Sequence, residues 1–213
     1  DLGCKYCIKG IRMLDPNRQT NIERTSMKLC MLIALLSGQR CQTLQALKTN
    51  PECMMLTEKK CTFFVNTLLK HSRRGAHLQP IELYSCENKS LCVVHTLNVY
   101  LQKTRTLRGK TQNLFVTLLR PHKAASKDTM ARWLKWTLSR AGINTSEYTA
   151  HSTRTASVSA VRSVGVSVDT IMKAAGWTNA ATYSKYYQKS IHIPERNQRN
   201  FGQAVMDSYL NKN

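Results

Sequence analysis

Apolar residues recur along most of the chain every three or four positions, the spacing that places them on one face of an α-helix. This pattern predicts helices over residues 20–36, 41–47, 90–103, 126–142, 151–164, 167–176 and 179–188. Thr20 and Glu23 have the spacing of a capping box. Gly38 stands where a C-cap is expected, and Ser126 and Ser167 stand where N-caps are expected.

Two stretches rich in β-branched and aromatic residues, 61–69 and 78–84, indicate strands instead. A basic tip over residues 70–75 separates them, so we predict an antiparallel hairpin with a long basic turn. Residues 114–116 add a short extended piece. The predicted fold is therefore mostly α, of the α+β class, with many helices around one small antiparallel sheet.

The charge of the chain points to its partner. The 213 residues include 32 Lys and Arg against 12 Asp and Glu, a formal net charge of +20. Such a surface favours a polyanion, and nucleic acid is the usual one. The basic residues are not gathered on one amphipathic helix, which disfavours a membrane surface. The longest apolar run, 29–36, is far shorter than the roughly 20 residues that span a bilayer.

The eight cysteines lack the spacing of a disulfide framework, so we expect reduced thiols and an intracellular protein. Cys4 and Cys7 have the spacing of half a zinc site, but no second close pair follows. Cys92 and His95 fit the buried face of a helix better than a metal site. We therefore predict neither a metal nor a cofactor.

Several residues could carry chemistry together, although each alone has an ordinary structural explanation. His151 and Arg154 are three apart on a predicted helix, so they face the same way. The others are Arg40 after the first long helix, Lys70 at the mouth of the hairpin, Trp177 after Gly176, and the tyrosines Tyr183, Tyr186 and Tyr187.

The order and spacing of these motifs resemble the tyrosine recombinase/integrase family. The motifs are Ser-Gly-Gln-Arg at 37–40, His-Ser-Thr-Arg at 151–154 and Ala-Ala-Gly-Trp-Thr-Asn at 174–179, followed by the tyrosines. Within the family, the chain is most similar to the recombinases of DIRS-type retrotransposons, which share the loop Arg-Pro-His-Lys at 120–123. The resemblance covers residues 20–190.

The resemblance implies a helical catalytic domain that cuts and rejoins DNA through a 3′-phosphotyrosine link, without metal. Arg40 and Arg154 would hold the phosphate oxygens, because their forks are always charged. Lys70 would protonate the departing 5′-oxygen, and His151 would assist proton handling or bond the phosphate. Trp177, which stands where many relatives have histidine, would donate its indole N–H and pack.

The resemblance leaves the nucleophile open between two neighbouring tyrosines, with Tyr183 as a third and weaker candidate. Many bacterial and phage relatives have it nine residues after the Trp177 position, which selects Tyr186. The DIRS-type pattern has it at ten, which selects Tyr187, and this is our prediction. Thr43 is a departure, since relatives often have an acidic residue there, and we expect weaker support of the site.

The resemblance also implies partners and domain limits. We expect double-stranded DNA, with Arg73, Arg74 and Lys123 on its backbone, and a homotetramer on DNA. Residues 1–190 would be the catalytic domain, and the tail 191–213 a segment that protomers exchange. From the residues themselves, we expect the tail beyond Pro194 to be polar and irregular. An N-terminal core-binding domain is expected to be absent, which predicts weaker and less selective binding.

Three matters stay open at this point. One alternative is a type IB topoisomerase-like enzyme, which nicks and reseals DNA with a similar residue set. Another is a domesticated DNA-binding protein without catalysis. In a eukaryotic host, the working compartment would be the nucleus.

Overall fold

The computed structural model describes residues 4–14, 21–67, 79–176 and 201–210, with side chains for all but residues 4, 5 and 207–210, and it is mostly helical with one small sheet. In chain order the helices are α1 (Cys4–Met13), α2 (Ile22–Ser37), α3 (Cys41–Ala46), α4 (Val93–Thr104), α5 (Lys127–Arg140), α6 (Ser152–Ser163), α7 (Val168–Ala175) and α8 (Phe201–Leu210). The strands are β1 (Met54–Leu56), β2 (Lys60–Phe63) and β3 (Ile81–Tyr84).

The helix α2 lies at the centre of the fold. Its side chains from 25 to 37 are all buried, as expected of a helix that neighbours cover on every side. It contacts α1, α3, α4, α5, α6, α8 and β3. Gly38 ends it in the left-handed conformation, with φ of 61°, as the sequence predicted.

The start of α2 differs from the prediction. Asn21 is the N-cap, and its side-chain oxygen accepts the backbone N–H of Glu23 at 3.2 Å. The predicted capping box of Thr20 and Glu23 is therefore wrong. An asparagine side chain readily accepts the backbone N–H two residues further on, so Asn21 caps the helix in place of Thr20. The predicted caps Ser126 and Ser167 are confirmed, since each accepts the backbone N–H three residues on.

The sheet is antiparallel in the order β1-β2-β3. Phe63 lies opposite both Met54 and Ile81, and Lys60 lies opposite Tyr84. This confirms the predicted fold class, but the strand over 61–69 was predicted too long, because the ladder to β3 ends at Phe63. Strand β1 was not predicted. The tip of the β2–β3 connection, residues 68–78, lies outside the described residues.

The prediction that the tail beyond Pro194 is irregular is wrong for its second half. Residues Phe201–Leu210 form α8, which contacts α2, α6, α7 and β3 of the same chain. Phe201, Ala204 and Val205 are buried. Their spacing places them on one helical face, and that face packs into an apolar groove of the same chain. The helix α1 was also not predicted, and the helix predicted over 179–188 lies outside the described part of the chain.

The cysteines with described side chains are free thiols. Burial raises the pKa of Cys7 and of Cys61 to about 12, which keeps both protonated. Cys92 is the N-cap of α4, and its sulfur accepts the His95 backbone N–H at 3.4 Å. No helix in the described ranges is long and apolar enough to cross a membrane.

Candidate active site

The first turn of α6 carries two of the predicted site residues. His151 is the N-cap of this helix and is exposed, whereas Arg154 is only 1% exposed. The Arg154 backbone N–H donates to the His151 carbonyl at 3.1 Å. The hydroxyl of Thr149 accepts the His151 N–H at 3.2 Å. These local bonds fix the turn, so both side chains leave it on the same side.

Arg154 joins the ends of two helices that are far apart in sequence. Its Nη1 donates to the Gly38 carbonyl and to the Ala175 carbonyl, both at 2.7 Å. Gly38 follows the last turn of α2, and Ala175 is the last residue of α7. The last carbonyls of a helix lack partners and carry partial negative charge. A guanidinium between two such ends therefore satisfies both of them and is favoured in its charged form.

Arg40 lies two residues beyond Gly38, on the short link between α2 and α3. It is the N-cap residue of α3, and its carbonyl accepts the N–H groups of Thr43 at 2.9 Å and Leu44 at 3.1 Å. Its side chain is half-buried. Thr43, at the position where relatives often have an acidic residue, is buried.

The charges of the two arginines act on the histidine. The pKa of His151 lies below its ordinary value, chiefly because of partial burial, and then because of the positive charges of Arg154 and Arg40. Because Arg154 binds the Gly38 carbonyl, 116 positions away, the structure brings together three predicted residues from distant parts of the chain. A lowered pKa favours the uncharged form of His151, which can accept a proton or a hydrogen bond.

Lys123 lies on a tight loop before α5. Its N–H donates to the Thr117 hydroxyl at 2.9 Å, and the Thr117 N–H donates to the Lys123 carbonyl at 2.7 Å. These bonds hold the loop closed while Lys123 and Arg120 stay exposed. Helix α5, which begins after this loop, contacts α3, whose N-cap residue is Arg40. Burial raises the pKa of Cys41, the first residue of α3, and the Asp128 carboxylate of α5 adds to that effect.

The sequence matches the profile of the Phage integrase family over residues 12–192. The chain belongs to the phage integrase family. No curated relative matches this family member by sequence.

Several solved structures share the fold of this phage integrase family member. The XerH site-specific recombinase bound to its difH substrate, in a pre-cleavage complex, has a TM-score of 0.65 and 15% identity, over 89% of this chain and 51% of that one. XerA recombinase has a TM-score of 0.63 and 19% identity, over 99% and 64%. A lambda integrase dimer (residues 75–356) bound to a COC′ core site has a TM-score of 0.53 and 14% identity, over 91% and 62%. The chain therefore spans between half and two thirds of the length of these structures.

Six of the predicted site residues of this integrase-family chain lie outside the described residues. They are Lys70, Arg73, Arg74, Trp177, Tyr186 and Tyr187. The third tyrosine considered, Tyr183, lies outside them as well. The described elements end close to these residues in sequence: Gly176 caps α7 immediately before Trp177, and β2 and β3 flank the connection that holds Lys70.

One residue of this family member's site was missed by the sequence analysis. Gln39 is only 5% exposed, and its Nε2 donates to the Ala174 carbonyl at 2.6 Å. Its bond partner is 135 positions away in sequence, so no periodicity could reveal it. The only local signal was its place between a capping glycine and Arg40. Within the described ranges, no group of three His, Cys, Asp or Glu side chains could hold a metal ion.

Proposed function

We propose that the chain is the catalytic domain of a site-specific DNA recombinase or integrase that works without metal. The observation that carries the proposal is the meeting of Arg40, His151 and Arg154 where the ends of α2 and α7 converge. Family membership over residues 12–192 supports it.

The chemistry is a phosphoryl transfer from DNA to a tyrosine. The Tyr187 hydroxyl, with Tyr186 as the alternative, gives its proton to His151 as its oxygen attacks the phosphorus, and the bond to the 5′-oxygen breaks. Lys70 gives its own proton to that oxygen, and both protons return when the second transfer reverses the first. Trp177 donates its indole N–H and packs beside the phosphate. The phosphotyrosine link keeps the bond energy, so the second transfer reverses the first.

Arg40 and Arg154 supply the fixed positive charge that the transition state needs. The five-coordinate phosphorus carries extra negative charge on its non-bridging oxygens, and one preorganised donor to such charge contributes about 3 kcal/mol. The two helix carbonyls that hold Arg154 in place support this role, because they fix its guanidinium. Arg40 is half-buried on a link that is fixed at both ends.

The partner is double-stranded DNA, and the formal net charge of +20 supports this. So do the structures of XerH on difH and of a lambda integrase dimer on a COC′ core site. The homotetramer on DNA is proposed from the family resemblance alone. Arg73, Arg74 and Lys123 contact the DNA backbone, and Lys123 is exposed on its closed loop.

The finer assignment is to a DIRS-type retrotransposon recombinase that works in the nucleus. The amino-acid residues of the motifs at 37–40, 120–123 and 174–179 support it. Expressing the tagged chain in animal cells tests the compartment. Exclusion of the full fusion from the nucleus would contradict it.

The catalytic proposal is tested by trapping the covalent intermediate. Duplexes of random sequence that carry a bridging phosphorothiolate at one fixed position are incubated with the protein in EDTA. A denaturing gel then detects the adduct, and peptide mapping identifies the tyrosine. We expect an adduct at Tyr187, lost in Tyr187→Phe and retained in Tyr186→Phe. Captured duplexes are sequenced to give the preferred site.

Each other result has a defined meaning. An adduct mapped to Tyr186 would exchange the roles of the two tyrosines. Relaxation of supercoiled plasmid by a monomer, without strand exchange, would favour the topoisomerase-like alternative. DNA binding with no adduct on any duplex would indicate a DNA-binding protein without catalysis.

We further propose that protomers exchange the tail over residues 191–213 when they assemble on DNA. Apolar contacts seat α8 on its own chain, and the same groove on a neighbour could accept it. A photo-crosslinking residue at Phe201, in a mixture of heavy-isotope and unlabelled protein, tests this. Mixed-isotope crosslinks that form only with DNA would support exchange. Crosslinks that stay within one chain on DNA would contradict it.

A further inference from the structure

Gln39 is an amide side chain buried where the chain turns from α2 into α3. It is 5% exposed, and its Nε2 donates to the Ala174 carbonyl at 2.6 Å. Its own backbone N–H donates to the Ser37 hydroxyl at 3.3 Å. Glutamine is mostly exposed in folded proteins, and ordering its side chain costs up to about 2 kcal/mol. Its burial here therefore needs a compensating interaction.

That interaction is with the end of α7. The last carbonyls of a helix have no partner within the helix. At the end of α7, Gln39 binds the Ala174 carbonyl, and Arg154 binds the next one, at Ala175. The same Arg154 nitrogen binds the Gly38 carbonyl. The hydrogen bonds of these two side chains thus join the α2–α3 link to the end of α7.

The hydrogen bonds of the α2–α3 link fix the backbone position of Arg40. Gly38 is held through its carbonyl, Gln39 through its side chain, and the Arg40 carbonyl by the first turn of α3. The backbone on either side of Arg40 therefore has little freedom. Without the Gln39 bond, Arg154 would remain, among the described residues, as the side chain whose hydrogen bonds join the link to α7, and one such anchor allows rotation that two prevent.

We propose that Gln39 is a positioning residue that holds Arg40 at a fixed position relative to the end of α7. It does not touch the phosphate. Gln39 acts by fixing the backbone position from which the Arg40 side chain reaches the phosphate. That position is fixed relative to Gly176, the last residue before Trp177. The consequence for catalysis rests on the proposed recombinase function, whereas the placement of Arg40 does not.

Two variants remove the bond in different ways. Gln39→Met keeps the length of the side chain and removes the donor, and Gln39→Asn keeps the donor but cannot reach Ala174. The matched control is Asn113→Leu. The amide of Asn113 donates to the Gln45 carbonyl near the end of α3 at 2.9 Å, so its loss removes the same kind of bond at another helix end.

The first measurement follows the titration of His151 by NMR, with the signal assigned through His151→Asn. Because the positive charge of Arg40 helps to lower the pKa of His151, a displaced Arg40 lets that pKa rise. We expect a rise in both Gln39 variants and none in Asn113→Leu. A purely structural role would lower the melting temperature of all three variants without moving the His151 titration.

The second measurement is the single-turnover cleavage rate on a captured duplex, at saturating protein. Misplacing a catalytic group by about 1 Å can cost about a hundredfold in rate. We expect a fall of at least about tenfold for the Gln39 variants, with the DNA dissociation constant within about threefold of the parent.

The outcomes separate the two proposals. An unchanged His151 titration in both Gln39 variants overturns the positioning role, whatever the rate. A displaced titration with an unchanged rate also overturns it. If the parent chain forms no adduct at all, the recombinase proposal fails, and the titration alone then decides whether Gln39 places Arg40.

Discussion

At the residue scale, the two arginines that the sequence treats alike have different surroundings. Arg154 is 1% exposed and holds two helix ends, whereas Arg40 is half-buried and makes no side-chain capping bond. Arg154→Met would leave the Gly38 and Ala175 carbonyls without this donor, at about 1–3 kcal/mol for each buried group. We expect it to lower the free energy of unfolding by about 3 kcal/mol, and Arg40→Met by under about 1 kcal/mol.

Urea denaturation without DNA measures both losses. A parallel loss of activity in the two variants would then have different causes, because only Arg154→Met would also weaken the fold. Equal losses of stability would show that Arg154 does not brace the helix ends.

The pKa of His151 predicts how the affinity for DNA depends on pH. Its pKa in the free protein lies below the ordinary 6.5, and a nearby phosphate favours the charged form. Binding therefore takes up a proton, so affinity should rise as pH falls through the pKa of the complex and level off below the pKa of the free protein. Fluorescence anisotropy from about pH 5 to pH 8 measures this. A His151→Gln variant should lose that part of the dependence, and an identical profile would contradict the assignment.

Residue spacing could predict part of this site and not the rest. The three-residue interval between His151 and Arg154 is local, so a helix is enough to place them side by side. The bond of Arg154 to Gly38 spans 116 positions, and that of Gln39 to Ala174 spans 135. Such contacts depend on how the helices pack. Spacing alone therefore predicted neither the burial of Arg154 nor the bond that Gln39 makes to Ala174.

At the element scale, the helices from α2 to α7 were predicted close to their observed bounds, whereas α1, β1 and α8 were not predicted. The helices α2, α5 and α6 have enough turns for the period of 3.6 residues to be visible. Strand β1 has three residues, and its existence depends on pairing with β2. The pattern of α8 was masked by polar neighbours, although its apolar residues are spaced as a helix requires.

The docking of α8 predicts a large loss of stability from one substitution. Phe201 is 5% exposed, and a Cβ added at Gly38 would lie 3.0 Å from its ring. Phe201→Ala should lower the free energy of unfolding by about 3–5 kcal/mol. Met13→Ala is the control, since Met13 is 55% exposed and should change it by under about 0.5 kcal/mol. Thermal or urea denaturation measures both, and similar effects would show that α8 is not seated in the groove.

At the scale of the whole molecule, the charge and the sheet together make a prediction about DNA. The turn between β1 and β2 and the connection between β2 and β3 lie at opposite ends of the strands, because all three strands are antiparallel. Arg73 and Arg74 belong to the second connection, and the exposed Lys59 belongs to the turn. Lys59 carries the same charge as Arg73 and Arg74 but belongs to a different connection, so it serves as a control for charge alone.

Salt dependence distinguishes residues that contact phosphates from those that only add charge. Each phosphate contact releases condensed counterions, which steepens the dependence of log affinity on log salt by about 0.9. We expect Arg73→Gln with Arg74→Gln to reduce the slope by about 1.8, and Lys123→Gln to reduce it by about 0.9. Lys59→Gln removes one charge as well but should leave the slope nearly unchanged. Equal reductions for Lys59 and Lys123 would mean that the net charge of +20 attracts DNA as a whole and that no basic loop contacts its backbone.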